Sequence, residues 1–255
     1  MKKRSYKYAI IIALSILSFC LVFGIVYFFQ QRNNHLSPTV RKIIAENKKK
    51  AKEPITPSPS ESPYVNQLPD YRAKFNNPNI MGYLTVTGTR IESLVTRSTN
   101  NFYYLNHNFY NQYDFLGVPF FDYRNTSLST NRQINIYGHN TQDSKYYDAL
   151  PFTNLEAFTD YTTFSSFKDV TLEIDEARYH YKVIAVKIIT GENNEHMKLL
   201  FYSDEDYLNH VNKLLLDTLY KDDDISFSAA DHLLVLQACH YNPIGSYLLV
   251  IAKQV

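Results

Sequence analysis

The sequence predicts a mainly β domain with helical insertions, built as a closed barrel or a sandwich and preceded by one transmembrane helix. Three observations carry this prediction. Short apolar runs separated by turn residues recur from residue 81 to the end, two longer segments interrupt them, and a long uncharged stretch lies near the start. The 255 residues are enough for one domain with appendages.

The apolar runs predict eight strands, because each is short and is bounded by residues that favour turns. They cover residues 81–86, 91–96, 116–123, 133–138, 170–174, 179–190, 233–239 and 247–252. Helical segments are predicted over residues 65–76, 144–158 and 205–219. In the last segment the apolar residues recur with a period near 3.6, so one helix face should pack on the barrel.

The N-terminal segment is predicted to be a membrane anchor. Residues 1–7 carry four positive charges, and residues 8–29 carry no charge at all. A stretch of this length spans a hydrocarbon core of about 30 Å as a helix. The preceding cations place residues 1–7 in the cytoplasm and the rest of the chain outside. A cleaved signal peptide is the alternative, but Tyr27-Phe28-Phe29-Gln30 offers no small-residue cleavage site.

Residues 30–63 are expected to connect this anchor to the body. Residues 31–52 are basic and moderately helical and predict a solvated stalk, with attraction to anionic lipid or wall polymer as the weaker alternative. Residues 54–63 contain four prolines and three serines, a composition typical of an extended linker. The extracellular body is therefore predicted over residues 64–255.

Charge and composition exclude several classes of function. Residues 1–52 carry eleven Lys or Arg and one acid, whereas the remainder carries 15 basic and 24 acidic residues. An acidic body argues against nucleic-acid binding. With seven glycines and no phosphate-loop motif, nucleotide cofactors are not expected. Histidines 180, 196, 210 and 232 lack metal-ligand spacing, and residues 222–224 (Asp-Asp-Asp) are read as a solvated loop in preference to a calcium site.

Cys239 is the candidate nucleophile. It ends an apolar run that a turn with Pro243 and Gly245 joins to a second one. A cysteine at such a position is commonly a small buried hydrophobe, but an unpaired thiol in an extracellular domain needs another explanation. The other cysteine, Cys20, lies in the predicted membrane segment. His139 ends a different apolar run and is the candidate base, whereas His240 should leave its strand on the side opposite to Cys239.

Five phrases in the body resemble those of class B sortases, in the same order. They begin at residues 77 (Asn-Pro-Asn-Ile-Met-Gly-Tyr-Leu), 103 (Tyr-Tyr-Leu-Asn-His-Asn-Phe), 121 (Phe-Asp-Tyr-Arg-Asn), 136 (Ile-Tyr-Gly-His-Asn) and 238 (Ala-Cys). The resemblance covers roughly residues 65–255. It implies an eight-stranded β-barrel, a membrane anchor on a Gram-positive cell surface, and cysteine transpeptidation without a cofactor. The implied partners are secreted proteins or pilins with a sorting motif, and an amine from a wall cross-bridge or a pilin lysine.

Two positions depart from the family pattern. The residue before the cysteine, usually Thr or Ser, is Ala238, and the family arginine after the cysteine is missing, with Tyr247 near its expected position. Tyr247 and Arg124 are the candidates for oxyanion or substrate support, with Arg124 the candidate to replace that arginine from another strand. The alternative for Arg124 is a structural ion pair with Asp122.

The chemistry that the resemblance implies is thiol acyl transfer. Cys239 attacks a scissile carbonyl, and His139 protonates the leaving amine, since an imidazole can act as acid and base near neutral pH. A second amine then accepts the acyl group. Two other functions stay open: a sortase-like assembly factor with weak or no activity, and a cysteine peptidase.

Overall fold

The computed structural model describes residues 38–50 and 64–255, apart from residue 192. These residues form nine strands: β1 (Ile80–Val86), β2 (Ile91–Thr96), β3 (Phe120–Phe121), β4 (Gln133–Gly138), β5 (Asp169–Glu173), β6 (Arg178–Thr190), β7 (Tyr220–Lys221), β8 (Leu233–His240) and β9 (Ser246–Gln254). The α-helices are α1 (Pro38–Lys50), α2 (Leu68–Phe75), α3 (Tyr161–Ser166) and α4 (Asp204–Leu214). Short 3₁₀ helices cover Tyr103–Leu105, Ser144–Tyr146, Pro151–Thr159 and Glu195–Met197.

Eight of the strands close into a barrel. Their order is β5-β1-β2-β3-β4-β8-β9-β6, and pairing of β5 with β6 completes the ring, while β7 extends β6 on the outside. The β2–β3 and β4–β8 pairs are parallel and the other pairs are antiparallel. The structure therefore confirms the eight-stranded barrel and decides against the sandwich.

The barrel strands bury residues on both faces. Alternate residues such as Ile136, Leu236 and Val250 fill the interior. On the outer face, Val235 and Ile251 pack under the apolar stripe of α4, which contributes Tyr207, Val211 and Leu214. The amphipathic helix predicted over residues 205–219 is thus confirmed in its packing, although it ends five residues earlier.

The third strand is much shorter than predicted. Only Phe120 and Phe121 of residues 116–123 pair with neighbours. Gly117 adopts a left-handed conformation with φ of 57°, and Pro119 has no N–H to donate to a ladder. The apolar character of this run comes from its burial against the segment around Tyr104 and not from strand pairing.

Helix α1 differs from the expected solvated stalk. Val40, Ile43 and Ile44 are buried, and the Asn47 Nδ2 donates to the Gly88 carbonyl at 2.8 Å. Lys48 pairs with Asp160 at 3.0 Å. The apolar residues recur with helical spacing, so part of the predicted stalk is an amphipathic helix that packs on the body.

The described residues contain no helix long and apolar enough to cross a membrane. The anchor predicted over residues 8–29 and the linker over residues 54–63 lie outside the described residues, so both stay predictions.

Candidate active site

Two parallel neighbouring strands position the candidate catalytic residues. β4 and β8 run side by side, and their last Cα pair joins Gly138 to Ala238. His139 directly follows Gly138, and Cys239 directly follows Ala238. Both therefore lie one position beyond the same rung of the ladder. Since neighbouring strands lie about 4.8 Å apart, the sheet brings together the two residues that the sequence separates by a hundred positions.

Strand alternation sends both side chains to the same face. Leu234, Leu236 and Ala238 of β8 point into the barrel interior, so Val235, Gln237 and Cys239 face outward. The same alternation on β4 turns Ile136 inward and places Tyr137 and His139 outward. Both candidate catalytic side chains therefore leave the sheet on its outer face.

Cys239 and His139 line one cavity of about 330 Å³. The remaining walls come from neighbouring strands and from two loops: Asn101, Leu105, Phe120, Tyr137, Gly138, Met197, Gln237, Ala238 and Tyr247. None of these lining residues is Lys or Arg. The cavity is mainly apolar, with a thiol, an imidazole, two amides and two phenols as its reactive or polar groups.

Burial determines the protonation state of the Cys239 thiol. Cys239 is a free cysteine of intermediate exposure, and burial raises the pKa of its thiol above the ordinary value. Within the described residues, no hydrogen bond joins its Sγ to the His139 ring. The resting thiol is consequently neutral at pH 7, and the thiolate that attacks must form during catalysis.

We expect the alkylation of Cys239 by iodoacetamide to rise about tenfold per pH unit from pH 6 to 9, because the thiolate fraction does so below a raised pKa. Intact-mass spectrometry at a series of pH values measures this rate. An inflection below pH 7 would contradict the prediction, since it would show a preformed thiolate–imidazolium pair.

The His139 ring is held by a backbone carbonyl. Its Nε2 lies 2.7 Å from the Leu105 oxygen. Because a carbonyl oxygen only accepts, Nε2 carries the proton of this hydrogen bond. Nδ1 is then the nitrogen that remains to exchange a proton with a reacting group.

The segment that supplies the Leu105 carbonyl is anchored through a tyrosine. The hydroxyl of buried Tyr104 lies within 3.2 Å of Asn77 Nδ2, 3.0 Å of Asn79 Nδ2 and 2.8 Å of Asn111 Oδ1. The Asn-Pro-Asn and Tyr-Tyr-Leu phrases of the sequence are thus one structural unit. Their contribution to the site is the fixed position of the Leu105 oxygen beside His139.

Gly138 is required by close packing just before His139. A Cβ atom at this position would lie 2.5 Å from Cγ and 2.7 Å from Cδ2 of Phe152, whose ring is fully buried. Any larger residue must displace either that ring or the end of β4. The Tyr-Gly-His phrase therefore reflects the barrel core as well as the chemistry.

We expect Gly138→Ala to lower the unfolding free energy by about 1–3 kcal/mol, the usual cost of overpacking a core, and to displace His139. Thermal unfolding monitored by circular dichroism measures the first effect. The matched control is Gly191→Ala, where the nearest atom to a new Cβ is 3.8 Å away. Equal melting temperatures for both variants would contradict the packing argument.

Tyr247 lies next to the candidate nucleophile, on the neighbouring strand β9. It is the cross-strand partner of Cys239 in the β8–β9 pair and lines the same cavity. Cross-strand partners share a face of the sheet, so the phenol and the thiol leave the sheet side by side. The structure thereby places a neutral hydrogen-bond donor beside Cys239.

Arg124 does not line the cavity and is paired with Asp122. Its Nε and Nη2 donate to the two carboxylate oxygens at 2.8 and 2.7 Å, the geometry of a bidentate ion pair. Burial would raise the pKa of Asp122, but hydrogen bonds from Arg124, Tyr137 and Asn101 outweigh it and lower this pKa. Tyr137 and Asn101 line the cavity, so the Asp122–Arg124 pair stabilises two cavity residues from outside the cavity. This arrangement favours a structural ion pair as the role of Arg124.

Four of the cavity residues were not singled out in the sequence, and two of them, Phe120 and Gln237, lie in predicted strands. Gln237 stands two positions before Cys239 and could have been found from strand alternation. Asn101 and Met197 come from loops far away in the sequence, and no local pattern marks them. Among the described residues, no group of three or more His, Cys, Asp or Glu side chains could hold a metal ion.

No protein-family model matches the chain, whereas individual proteins do. It is 27% identical to sortase B of Listeria monocytogenes over 164 residues, covering 64% of this chain and 63% of that protein. It is 23% identical to sortase B of Staphylococcus aureus over 179 residues, covering 69% and 70%. The match thus spans a little under two thirds of the Listeria relative.

The fold agrees with the sequence matches. The structure superimposes on Clostridium perfringens sortase B with a TM-score of 0.67 and 27% identity, covering 73% of this chain and 98% of that one. The chain is similar to class B sortases in both sequence and fold. This relationship confirms the resemblance of its sequence phrases to that class.

Proposed function

We propose that this chain is a membrane-anchored cysteine transpeptidase that uses Cys239 as nucleophile and His139 as acid and base. The observation that carries the proposal is the register of β4 and β8, which brings these two side chains to one face and into one cavity. Homology to class B sortases supports acyl transfer as the reaction.

The reaction begins with attack of the Cys239 thiol sulfur on a peptide carbonyl in a sorting motif of a secreted protein. The C–S bond forms, the carbonyl oxygen becomes an oxyanion, and the thiol proton moves to His139. Collapse of the tetrahedral species breaks the C–N bond, and His139 returns the proton to the leaving amine. A thioacyl enzyme remains on Cys239.

Transfer reverses these steps with a new amine. An amino group from a cell-wall cross-bridge or a pilin lysine gives its proton to His139 and attacks the thioester. The C–N bond forms, the C–S bond breaks, and the Cys239 sulfur leaves with the proton. No oxidant, metal or cofactor is needed for this balance.

The oxyanion donor is proposed to be Tyr247. Its phenol shares the face of Cys239 and can donate one neutral hydrogen bond, in contrast to the charged, bidentate grip of a guanidinium. Loss of one good oxyanion donor typically costs roughly 10²–10³ in rate. We therefore propose a slow enzyme compared with sortases that carry the arginine.

A sortase-like assembly factor with weak or no activity is the second candidate, and the cavity without Lys or Arg favours it. Such a protein would bind a sorting motif but form no thioester. A cysteine peptidase would form the thioester and pass it to water.

Product analysis separates the three functions. The purified chain is incubated with a panel of sorting peptides, with and without an amine such as triglycine, and the products are identified by mass spectrometry. A transpeptidase yields the new amide only when the amine is present. Hydrolysis at the same rate with and without amine would indicate a peptidase, and binding without products would indicate an assembly factor.

A further inference from the structure

The residues that follow His139 and Cys239 in the chain meet on the inner side of the sheet. Strand alternation turns Asn140 and His240 away from the cavity, and both are buried, with 6% and 8% of their surface exposed. Between them lies the carboxylate of Glu156, 7% exposed, on the 3₁₀ helix Pro151–Thr159. Asn140, Glu156 and His240 are called the Glu156 cluster below.

Asn140 is bonded directly to the backbone of the candidate nucleophile. Its Nδ2 donates to the Cys239 carbonyl at 2.8 Å and to Glu156 Oε1 at 2.9 Å. A side-chain amide nitrogen carries two hydrogens, so both donors of Asn140 are used. The residue beside His139 is thereby fixed to the main chain of Cys239.

Glu156 connects Asn140 to His240. His240 Nδ1 donates to its carboxylate, at 2.9 Å from Oε1 and 3.1 Å from Oε2. The same carboxylate therefore holds the neighbour of His139 and the neighbour of Cys239. A buried carboxylate without such partners would carry a large desolvation cost, so this position requires both donors.

The location of the cluster explains why it is needed. The β4–β8 ladder ends at Gly138 and Ala238, one residue short of each candidate catalytic residue. Beyond that rung no further β4–β8 strand pair fixes the spacing of His139 and Cys239. The Glu156 cluster continues the connection between the strands through side chains after the ladder has ended.

We propose that the Glu156 cluster positions His139 relative to Cys239 for acyl transfer. Asn140 and Glu156 are positioning residues, since they touch neither the cavity nor the reacting atoms. This inference rests on the proposed function for its effect on turnover. The contacts that define it belong to the fold and can be tested without any sorting peptide.

The test is a double-mutant cycle between Asn140→Ala and His139→Ala in the full-length chain. Misplacing a catalytic group by about 1 Å can cost roughly 10²-fold in rate, so we expect Asn140→Ala to lower kcat by about 10–10²-fold with little change in KM. In the His139→Ala background the same substitution should change kcat by less than about twofold, because coupled residues are not additive. Equal losses in both backgrounds would show a merely structural role and overturn the proposal.

Two further variants provide the controls. Thr153→Val alters the same 3₁₀ helix by removing a buried hydroxyl that has no hydrogen-bond partner among the described residues, and should leave kcat unchanged. Glu156→Gln keeps the size of the side chain and one acceptor oxygen. Its decrease in kcat should therefore be larger than that of Thr153→Val and smaller than that of Asn140→Ala. It also replaces Asn140→Ala in the cycle if that variant fails to fold.

The spacing of the two positions is measured without any sorting peptide in a His139→Cys variant, because cysteines on neighbouring strands are close enough to form a disulfide. Oxidised glutathione is the oxidant, and peptide mapping by mass spectrometry gives the yield of the disulfide between positions 139 and 239. We expect Asn140→Ala to lower this yield severalfold; an equal yield with and without Asn140→Ala would overturn the positioning role. Absence of peptide products from the wild type, together with a lower disulfide yield in the Asn140→Ala variant, would instead refute the proposed function and leave the positioning role intact.

Discussion

Cys239→Ala should abolish formation of any acyl adduct, and His139→Ala should lower its rate by about 10²–10⁴-fold, the usual contribution of a general acid–base group. The physical reason is that the buried thiol has a raised pKa, so its proton must be removed as it attacks. His139 lies one residue beyond the last β4–β8 rung and is the group placed to take it. Incubations with a sorting peptide are quenched at a series of times, and intact-mass spectrometry then gives the rate of adduct formation for each variant.

His240→Ala is not a suitable control for this pair, because His240 belongs to the Glu156 cluster. His232 serves better: its ring bonds the Asn131 carbonyl at 2.9 Å, at the far end of β8. His232→Ala should leave adduct formation unchanged. Undiminished turnover in either Cys239→Ala or His139→Ala would place the site elsewhere.

Tyr247→Arg should raise the rate of adduct formation, by up to roughly 10²-fold, because a guanidinium is a charged donor to the oxyanion where the phenol is neutral. Tyr247 is the cross-strand partner of Cys239, so the new side chain starts from the correct face. Ala238 should be left unchanged in this variant, since it is buried in the barrel core and a larger residue there would overpack it. Single-turnover kinetics with the same peptide provide the measurement.

Tyr247→Phe and Arg124→Ala complete the comparison. Tyr247→Phe should slow the reaction if the hydroxyl donates to the oxyanion. Arg124→Ala should change the rate little but reduce stability by roughly 1–3 kcal/mol, because it removes two hydrogen bonds from the fully buried Asp122 carboxylate. A collapse of activity in a folded Arg124→Ala protein would show that Arg124, and not Tyr247, supports the oxyanion.

The barrel was predictable because its strands carry their signals locally. The β8–β9 hairpin combines two apolar runs with a Pro/Gly turn, and the order of short strands predicts a closed sheet. Alternation along β8 also predicts the opposite directions of Cys239 and His240, which the Glu156 contact confirms. These features depend on residues close together in the sequence.

What the sequence did not reveal depends on distant partners. Glu156 lies 84 positions from His240 and 16 from Asn140, and an acidic residue in a helical segment is ordinarily solvated. Helix α1 lies in a basic stretch whose apolar face was too short to predict its packing on the body. Arg124 had two predicted roles, and only its pairing with Asp122 in three dimensions favours the structural one.

The central claim is that Cys239 carries the acyl group. The most direct measurement is intact-mass and fragment mass spectrometry of the full-length chain after incubation with sorting peptides in the absence of an amine. We predict an added mass equal to the N-terminal part of the peptide, attached to Cys239 and released by hydroxylamine. An adduct on another residue, or peptide cleavage that persists in Cys239→Ala, would contradict the account.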